Sequence, residues 1–203
     1  MEFWNSQLTE KSWKLLQELK KKYNFILIGG WATYLWVRQQ KSKDIDIVVE
    51  IKELQKLKSE NLSKNHNLKK YEIKSDEIDV DIYVSYFSKL TIAPENLKKY
   101  IKKIEGFNVV SSEVLIILKQ GAYEDRKNSV KGEKDKIDIM SLLFFSDVDI
   151  GAYKSILKEY SLDHYARNLI DLLKNFKDYD YLNLTPREFK FKKRTMLDEF
   201  KKS

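Results

Sequence analysis

The chain has 203 residues, with 38 Lys and Arg against 31 Asp and Glu, a net charge of +7, no cysteine and two prolines. Without cysteine there are no disulfides, thiolate chemistry or cysteine-ligated zinc, and His66 and His164 share no ligand-like spacing, so zinc-hydrolase and serine-protease readings are poor. Apolar residues at 42% suffice for a buried core, while the positive balance suggests a polyanionic partner, most lysines simply solvating helix faces.

The N-terminus is polar and turns amphipathic, unlike a signal peptide. No run reaches the roughly 18 consecutive apolar residues of a membrane span, so a cytoplasmic location is expected. Leu8, Trp13, Leu15, Leu16 and Leu19 recur at helical spacing and predict a helix over 5–23, with Asn5 or Thr9 as its cap. Residues 25–28 read as a buried strand stopped by a tight Gly29-Gly30 turn, 31–39 as an apolar helix, and 44–49 as an alternating strand after a break at 41–43. A short helix follows over 53–59, then a polar loop over 61–67. Residues 68–74 and 78–84 flank Ser75-Asp76-Glu77 and predict a hairpin, and a strand over 107–110 closes the sheet. Beyond that point, 113–127, 135–145, 150–160 and 163–176 carry helical periodicity. Thr185-Pro186-Arg187-Glu188 combines an N-cap, a first-turn proline and a capping-box glutamate at the start of a last helix. Strands precede helices, an α+β arrangement. The expected organisation is a core over 1–110 and a helical region over 111–203 packed on it.

The stretch with most chemical content is Ile28-Gly29-Gly30, a helix, then Asp44-Ile45-Asp46. Positions i and i+2 of a strand share a face, so Asp44 and Asp46 stand side by side while Ile45 and Ile47 turn inward. Two such carboxylates suit Mg²⁺ or Mn²⁺, or else they line the solvent face of an edge strand. A Gly-Gly turn at a helix N-terminus can bring backbone N–H groups to a phosphate. Asp79 and Asp81 add two carboxylates on one face of the later hairpin strand, which is hard to explain as solvation alone. On the helix after the strands, Lys119 and Arg126 are seven positions apart and share a face, with Tyr123 between them. They can neutralise triphosphate charge or form an ordinary amphipathic boundary. Asp135 can join them, or complement the macrodipole in a first helical turn; Asp138 is structural support, pairing with Lys134 or Arg126.

Gly29-Gly30, the helical spacer, Asp44-Ile45-Asp46 and then Asp79 resemble the DNA polymerase β-type nucleotidyltransferase superfamily. Leu118-Lys119-Gln120-Gly121-Ala122, Arg126 and Lys134-Asp135-Lys136-Ile137-Asp138 are similar to its AbiEii-type branch, the abortive-infection or type IV toxin-like proteins. The resemblance covers about residues 25 to 145. It implies a nucleotidyltransferase fold, a small mixed sheet covered by helices, and Mg²⁺- or Mn²⁺-dependent transfer of a nucleoside monophosphate from an NTP. The implied acceptor is an RNA 3′ end, tRNA first, with a protein hydroxyl second, and an antitoxin is a partner of such toxins. Asp44 and Asp46 fall on the metal aspartates. The third falls on Asp79, with Asp81 the competing choice, and that carboxylate assists the attacking hydroxyl. Gly29 and Gly30 would hold phosphates, and Lys119, Arg126 and Asp135 would complete the pocket. Gly-Gly in place of the commoner Gly-Ser removes a hydroxyl from the phosphate contact. A non-catalytic NTP- or RNA-binding module of the same fold is the alternative from another class, and a phosphotransferase using the same site is the third.

Trp31, Tyr34 and Trp36 can stack a base, but a buried helix beside the sheet is the favoured reading. Arg187, Lys190, Lys192, Lys193 and Arg194 can grip an RNA backbone or form the outer side of a packed helix, and the lysine-rich run 98–103 reads similarly.

Overall fold

The computed structural model describes residues 3–58, 60–75 and 77–202. The chain divides between Ser111 and Ser112 into two compact units.

The first unit opens with helix α1 (Ser6–Lys22), where Asn5 Oδ1 accepts the Gln7 N–H at 2.8 Å and Lys20, Lys21 and Lys22 complement the C-terminal dipole. Strand β1 (Ile26–Ile28) runs straight into helix α2 (Gly29–Val37). Strand β2 (Ile45–Val49), helix α3 (Ile51–Leu57) and strands β3 (Ser63–Asn65), β4 (Lys70–Ser75) and β5 (Ile78–Val84) follow. A 3₁₀ turn (Pro94–Tyr100) leads to β6 (Ile101–Ile104) and β7 (Phe107–Val110). The seven strands form one mixed sheet in the order β3-β4-β5-β2-β1-β7-β6. The β1–β7 and β2–β5 pairs are parallel and the other neighbours antiparallel. With its helices, this mixed sheet makes the α+β class read from the sequence.

Period-2 alternation sets the faces. Ile45 and Ile47 on β2 and Val80 and Ile82 on β5 are fully buried, while Asp46, Asp79, Asp81 and Tyr83 turn to the other face. Burying each Val or Ile contributes roughly 1.5–3 kcal/mol, so a one-residue slip that swapped these faces would be prohibitive. Of the aromatic residues of α2, Trp31 belongs to the core and Tyr34 and Trp36 are half-buried: Trp31 is 1% exposed, donates Nε1–H to Ser12 Oγ at 2.8 Å and lies 4.9 Å from Trp13. Trp36 donates to the Val110 carbonyl. Base stacking by Trp31 is therefore excluded.

Several boundaries differ from expectation. Gly29-Gly30 is no separate turn but the first residues of α2. The loop over 61–67 contains β3, an edge strand without an apolar face. The lysine-rich run 98–103 is a 3₁₀ turn entering edge strand β6, not a helix face; lysines suit a sheet edge because they deter further strand pairing. Helix α3 starts at Ile51, and Ser59 and Asp76 of the expected helix and turn lie outside the described residues.

The second unit is helical: α4 (Ser112–Arg126), α5 (Val130–Phe145), α6 (Ile150–Glu159), α7 (His164–Asn175), a 3₁₀ turn (Tyr179–Leu182) and α8 (Pro186–Lys202). Ser129 caps α5 and Asp149 caps α6 through side-chain oxygens. Leu115, Ile116, Ile139, Leu142, Tyr153, Leu169 and Leu173 are fully buried. Helix α5 starts five residues before Asp135, so Asp135 is not in its first turn and the macrodipole role falls away. No helix among the described residues is long and apolar enough to cross a membrane.

Candidate functional site

Because β1 passes into α2 without a loop, Gly29 must take a left-handed backbone, φ +67°, which a side chain disfavours. A Cβ there would stand 2.0 Å from Asp46 Oδ2, so the missing side chain is the space the Asp46 carboxylate fills. A Cβ at Gly30 would stand 2.5 Å from Ser42 Oγ, and that hydroxyl donates to the Asp44 carbonyl at 3.0 Å. The two glycines thus let the loop before β2 and its first carboxylate close against the start of α2. The N-cap residue, Ile28, makes no side-chain cap hydrogen bond, and the first turn carries no acidic residue. Its N–H groups and dipole therefore favour an anion.

The sheet register carries the charge outward from Asp46. Asp46 is paired with Ile28 on β1 and with Asp81 on β5, and Asp81 is paired on its other side with Glu72 of β4. Three carboxylates, Asp46, Asp81 and Glu72, stand in a row across three strands on one face. Lys70 breaks the repulsion: its Nζ lies 2.6 Å from Asp81 Oδ2 and 3.1 Å from Glu72 Oε1, and Asn65 donates to Glu72. Burial pulls the Lys70 ammonium down, but Asp81 and Glu72 outweigh it and hold its pKa above the ordinary value. Burial likewise pushes Glu72 up, and Lys70 with Asn65 brings it below the usual carboxylate range.

Asp79 stands opposite Lys74 in the hairpin and makes no hydrogen bond or ion pair among the described residues. Continuing the β2–β5 register one step places it beside Asp44. Asp44 has interactions of its own, yet its Oδ1 is a buried oxygen that accepts no hydrogen bond. Among the described residues no three His, Cys, Asp or Glu side chains converge closely enough to hold a metal by themselves. The donors nonetheless fit Mg²⁺ or Mn²⁺: they are hard carboxylate oxygens, and Mg²⁺ is commonly held by one or two carboxylates with waters and substrate phosphates completing the shell.

Lys119, Arg126 and Asp135, expected at the triphosphate, lie in the helical unit and are bound to one another. Lys119 Nζ is 2.9 Å from Asp135 Oδ1 and 2.8 Å from Asp138 Oδ2. Arg126 takes Asp135 Oδ2 through Nε and an Nη, each at 2.8 Å, and Lys134 pairs with Asp138. Burial raises the Asp135 pKa, but Lys119 and Arg126 overcome it and hold the group below its ordinary value. Burial depresses Lys119 as well, and its two aspartates more than reverse that. In Lys134 burial wins and the pKa falls. Asp138 supports the network as expected, through Lys134 and Lys119; the expected alternative, Arg126, pairs with Asp135.

Lys70, Glu72 and Ser42 were not singled out from the sequence. The signal for the first two was the alternation Lys70, Glu72, Lys74 facing Asp81 and Asp79 across the hairpin. Ser42 had no signal, since its role depends on the approach of a loop to Gly30.

No protein-family model and no curated protein matches the sequence. Among solved structures the chain is similar to the crystal structure of an antigenic nucleotidyltransferase-like protein from Paracoccidioides brasiliensis. The two are 18% identical, with a TM-score of 0.42 over 87% of this chain and 97% of the other. A likeness that distant assigns neither activity nor residues.

Proposed function

We propose that the chain is a nucleotidyltransferase that moves a nucleoside monophosphate from an NTP to an acceptor hydroxyl. The observation that carries this reading is the Asp46 carboxylate seated in the space left by Gly29, at the N-terminus of α2. Oxygens that could hold a metal would thereby stand close to N–H groups that could meet a phosphate, as a triphosphate requires. The N-terminus of α2 would bind triphosphate oxygens, with Gly30 leaving the backbone open to approach. Asp44 and Asp46 would hold a divalent ion, which when bound neutralises the triphosphate and polarises the phosphorus under attack. Asp79 is the third carboxylate, since Lys70 already engages Asp81; it would take the proton of the acceptor hydroxyl as the new P–O bond forms and pyrophosphate departs. The proposed acceptor is an RNA 3′ end, tRNA first, as in the abortive-infection branch, where an antitoxin would be the protein partner.

The test offers each α-labelled NTP with Mg²⁺ and total RNA, beside Asp44→Ala/Asp46→Ala. Label in RNA or in the protein, lost in the double variant, supports transfer and names base and acceptor. Label that survives the substitutions sinks the assignment. The part of Lys119, Arg126 and Asp135 is read through Arg126→Ala, whose side chain stays 42% exposed: a raised KM for NTP places it at the phosphates.

One observation favours a second reading, a non-catalytic nucleotide-binding module: no three candidate ligands converge among the described residues. Nucleotide binding that is equal in EDTA, with no pyrophosphate released, selects that reading.

A further inference from the structure

Helix α8 gathers cations on two opposite sides, and the structure gives them different work. On one side Phe189, Met196 and Phe200 are buried, Phe189 packing 5.9 Å from Phe144 and 5.5 Å from Tyr179. Lys192 and Lys193 belong to this packed side. Lys192 Nζ donates to the Phe144 carbonyl at 2.9 Å and Lys193 Nζ to the Lys174 carbonyl at 2.6 Å. On the other side Arg187, Lys190, Phe191 and Arg194 are exposed, Phe191 to 71%. Their spacing, i, i+3, i+4 and i+7, makes one stripe about 10 Å long.

Folding does not account for this stripe. Arg187 and Lys190 sit in the first turns of the helix, where positive charge opposes the macrodipole, and neither makes a hydrogen bond or ion pair among the described residues. Arg194 makes no hydrogen bond or ion pair among the described residues, and Asp198 lies within its field. The one acid near the helix start, Glu188, is turned back to Thr185, accepting its N–H at 2.8 Å. The three cations therefore project positive potential along one flank of a solvent-facing aromatic ring, whose other flank borders a pocket that Asp147 and Glu199 also line.

We infer that this stripe of α8 binds single-stranded nucleic acid, with phosphates on Arg187, Lys190 and Arg194 and a base stacked on Phe191. Base faces are available on a single strand and hidden in a duplex, so the exposed ring selects the former. A second copy of the chain docking by the same stripe would bring like charges together. The inference is independent of the transfer reaction, because binding is measured in EDTA without NTP.

The experiment titrates the full chain into short fluorescein-labelled oligo-U and follows anisotropy over a KCl series. Phe191→Ala is expected to weaken binding about 5- to 150-fold, the range for loss of one base–aromatic stack. Arg187→Gln/Lys190→Gln/Arg194→Gln is expected to flatten the log–log salt slope by about 2, at about 0.7 per phosphate contact on a single strand. The charge-matched control Lys11→Gln/Lys14→Gln/Lys158→Gln, at exposed lysines elsewhere, should leave most of the slope intact. The inference is overturned if the control flattens the slope as much as the stripe variant. It is equally overturned if Phe191→Ala binds as the parent does, if duplex competes as well as single strand, or if Phe191→Ala instead abolishes a concentration-dependent dimer.

Discussion

Replacing Gly29 by alanine tests the join between backbone and site. Two penalties add. The φ of +67° places a side chain in the left-handed region, which costs about 1–2 kcal/mol for a residue with a Cβ. The new methyl also meets Asp46, 2.0 Å from Oδ2, 2.6 Å from Cγ and 2.8 Å from Cβ, and overpacking of that kind costs about 1–3 kcal/mol. The expected loss is thus roughly 2–5 kcal/mol, a large share of the roughly 5–15 kcal/mol that keeps a typical domain folded. Urea denaturation followed by circular dichroism measures it, and Mn²⁺ binding measures displacement of the carboxylate. The Asp46→Ala background separates the two penalties, since it removes Oδ2 and Cγ but leaves the Cβ contact and the backbone strain. Gly29→Ala should therefore cost less there, with a coupling of at least about 0.5 kcal/mol. At Gly30 the obstacle is Ser42 Oγ and Cβ alone, so Ser42→Gly should rescue Gly30→Ala more completely. The reasoning is refuted if Gly29→Ala is within about 0.5 kcal/mol of the parent, or if its cost is the same with and without the Asp46 carboxylate.

Lys70→Met removes the cation between Asp81 and Glu72 and leaves three carboxylates in a row. With the pair partly screened by solvent, a loss of about 1–2 kcal/mol is expected, and Mn²⁺ should raise the variant's Tm more than the parent's. Equal Mn²⁺ shifts would show that Lys70 does not stand in for a cation. Asp135→Asn breaks the buried pairs to Lys119 and Arg126 and should cost about 3–5 kcal/mol at neutral pH. Because the folded pKa of Asp135 lies below its unfolded value, its contribution is present above about pH 4 and is lost as pH falls below that. The gap between parent and Asp135→Asn in urea midpoint should therefore narrow in acid, and a gap constant from pH 7 to pH 3 would contradict the assignment.

Where the hydrophobic period was strong, the sequence was readable: α1, the β4–β5 hairpin and the helices of the second unit follow from apolar spacing and caps. The Thr185–Glu188 box forms as its residue types require, with Glu188 N–H on Thr185 Oγ1 at 3.3 Å. What escaped was decided by neighbours. Strands β3 and β6 are polar edge strands whose only reason to be extended is the strand beside them. The start of α2 at Gly29 was hidden because a glycine pair reads as a turn until the approach of Asp46 is known. The aspartates were legible as an alternation on each strand, but the row Asp46–Asp81–Glu72 needs the register between strands, and a single sequence carries that only within the hairpin. The cations of α8 were legible as a cluster; which of them reach carbonyls and which reach water depends on the ring packing around Phe189.

Three local rules are broken at one place in the first unit. A non-helical glycine backbone begins a helix, aspartates occupy a central strand where they are disfavoured, and a lysine is drawn down beside two carboxylates. Each would be easy to remove by mutation if folding alone were at stake. A small residue at 46 would remove the need for a glycine's missing side chain at 29, and apolar residues at 70, 72 and 81 would dispense with the half-buried charges, often without loss of stability. The arrangement instead keeps Asp46, Asp79 and Asp81 on one sheet face, with Asp44 one step along the register and Lys70 engaging Asp81. Asp79 makes no ion pair among the described residues, and the Asp46 carboxylate stands against the start of α2. Negative oxygens beside a positive helix end are what a metal–triphosphate complex would need from this unit, since each half of that complex requires the opposite sign.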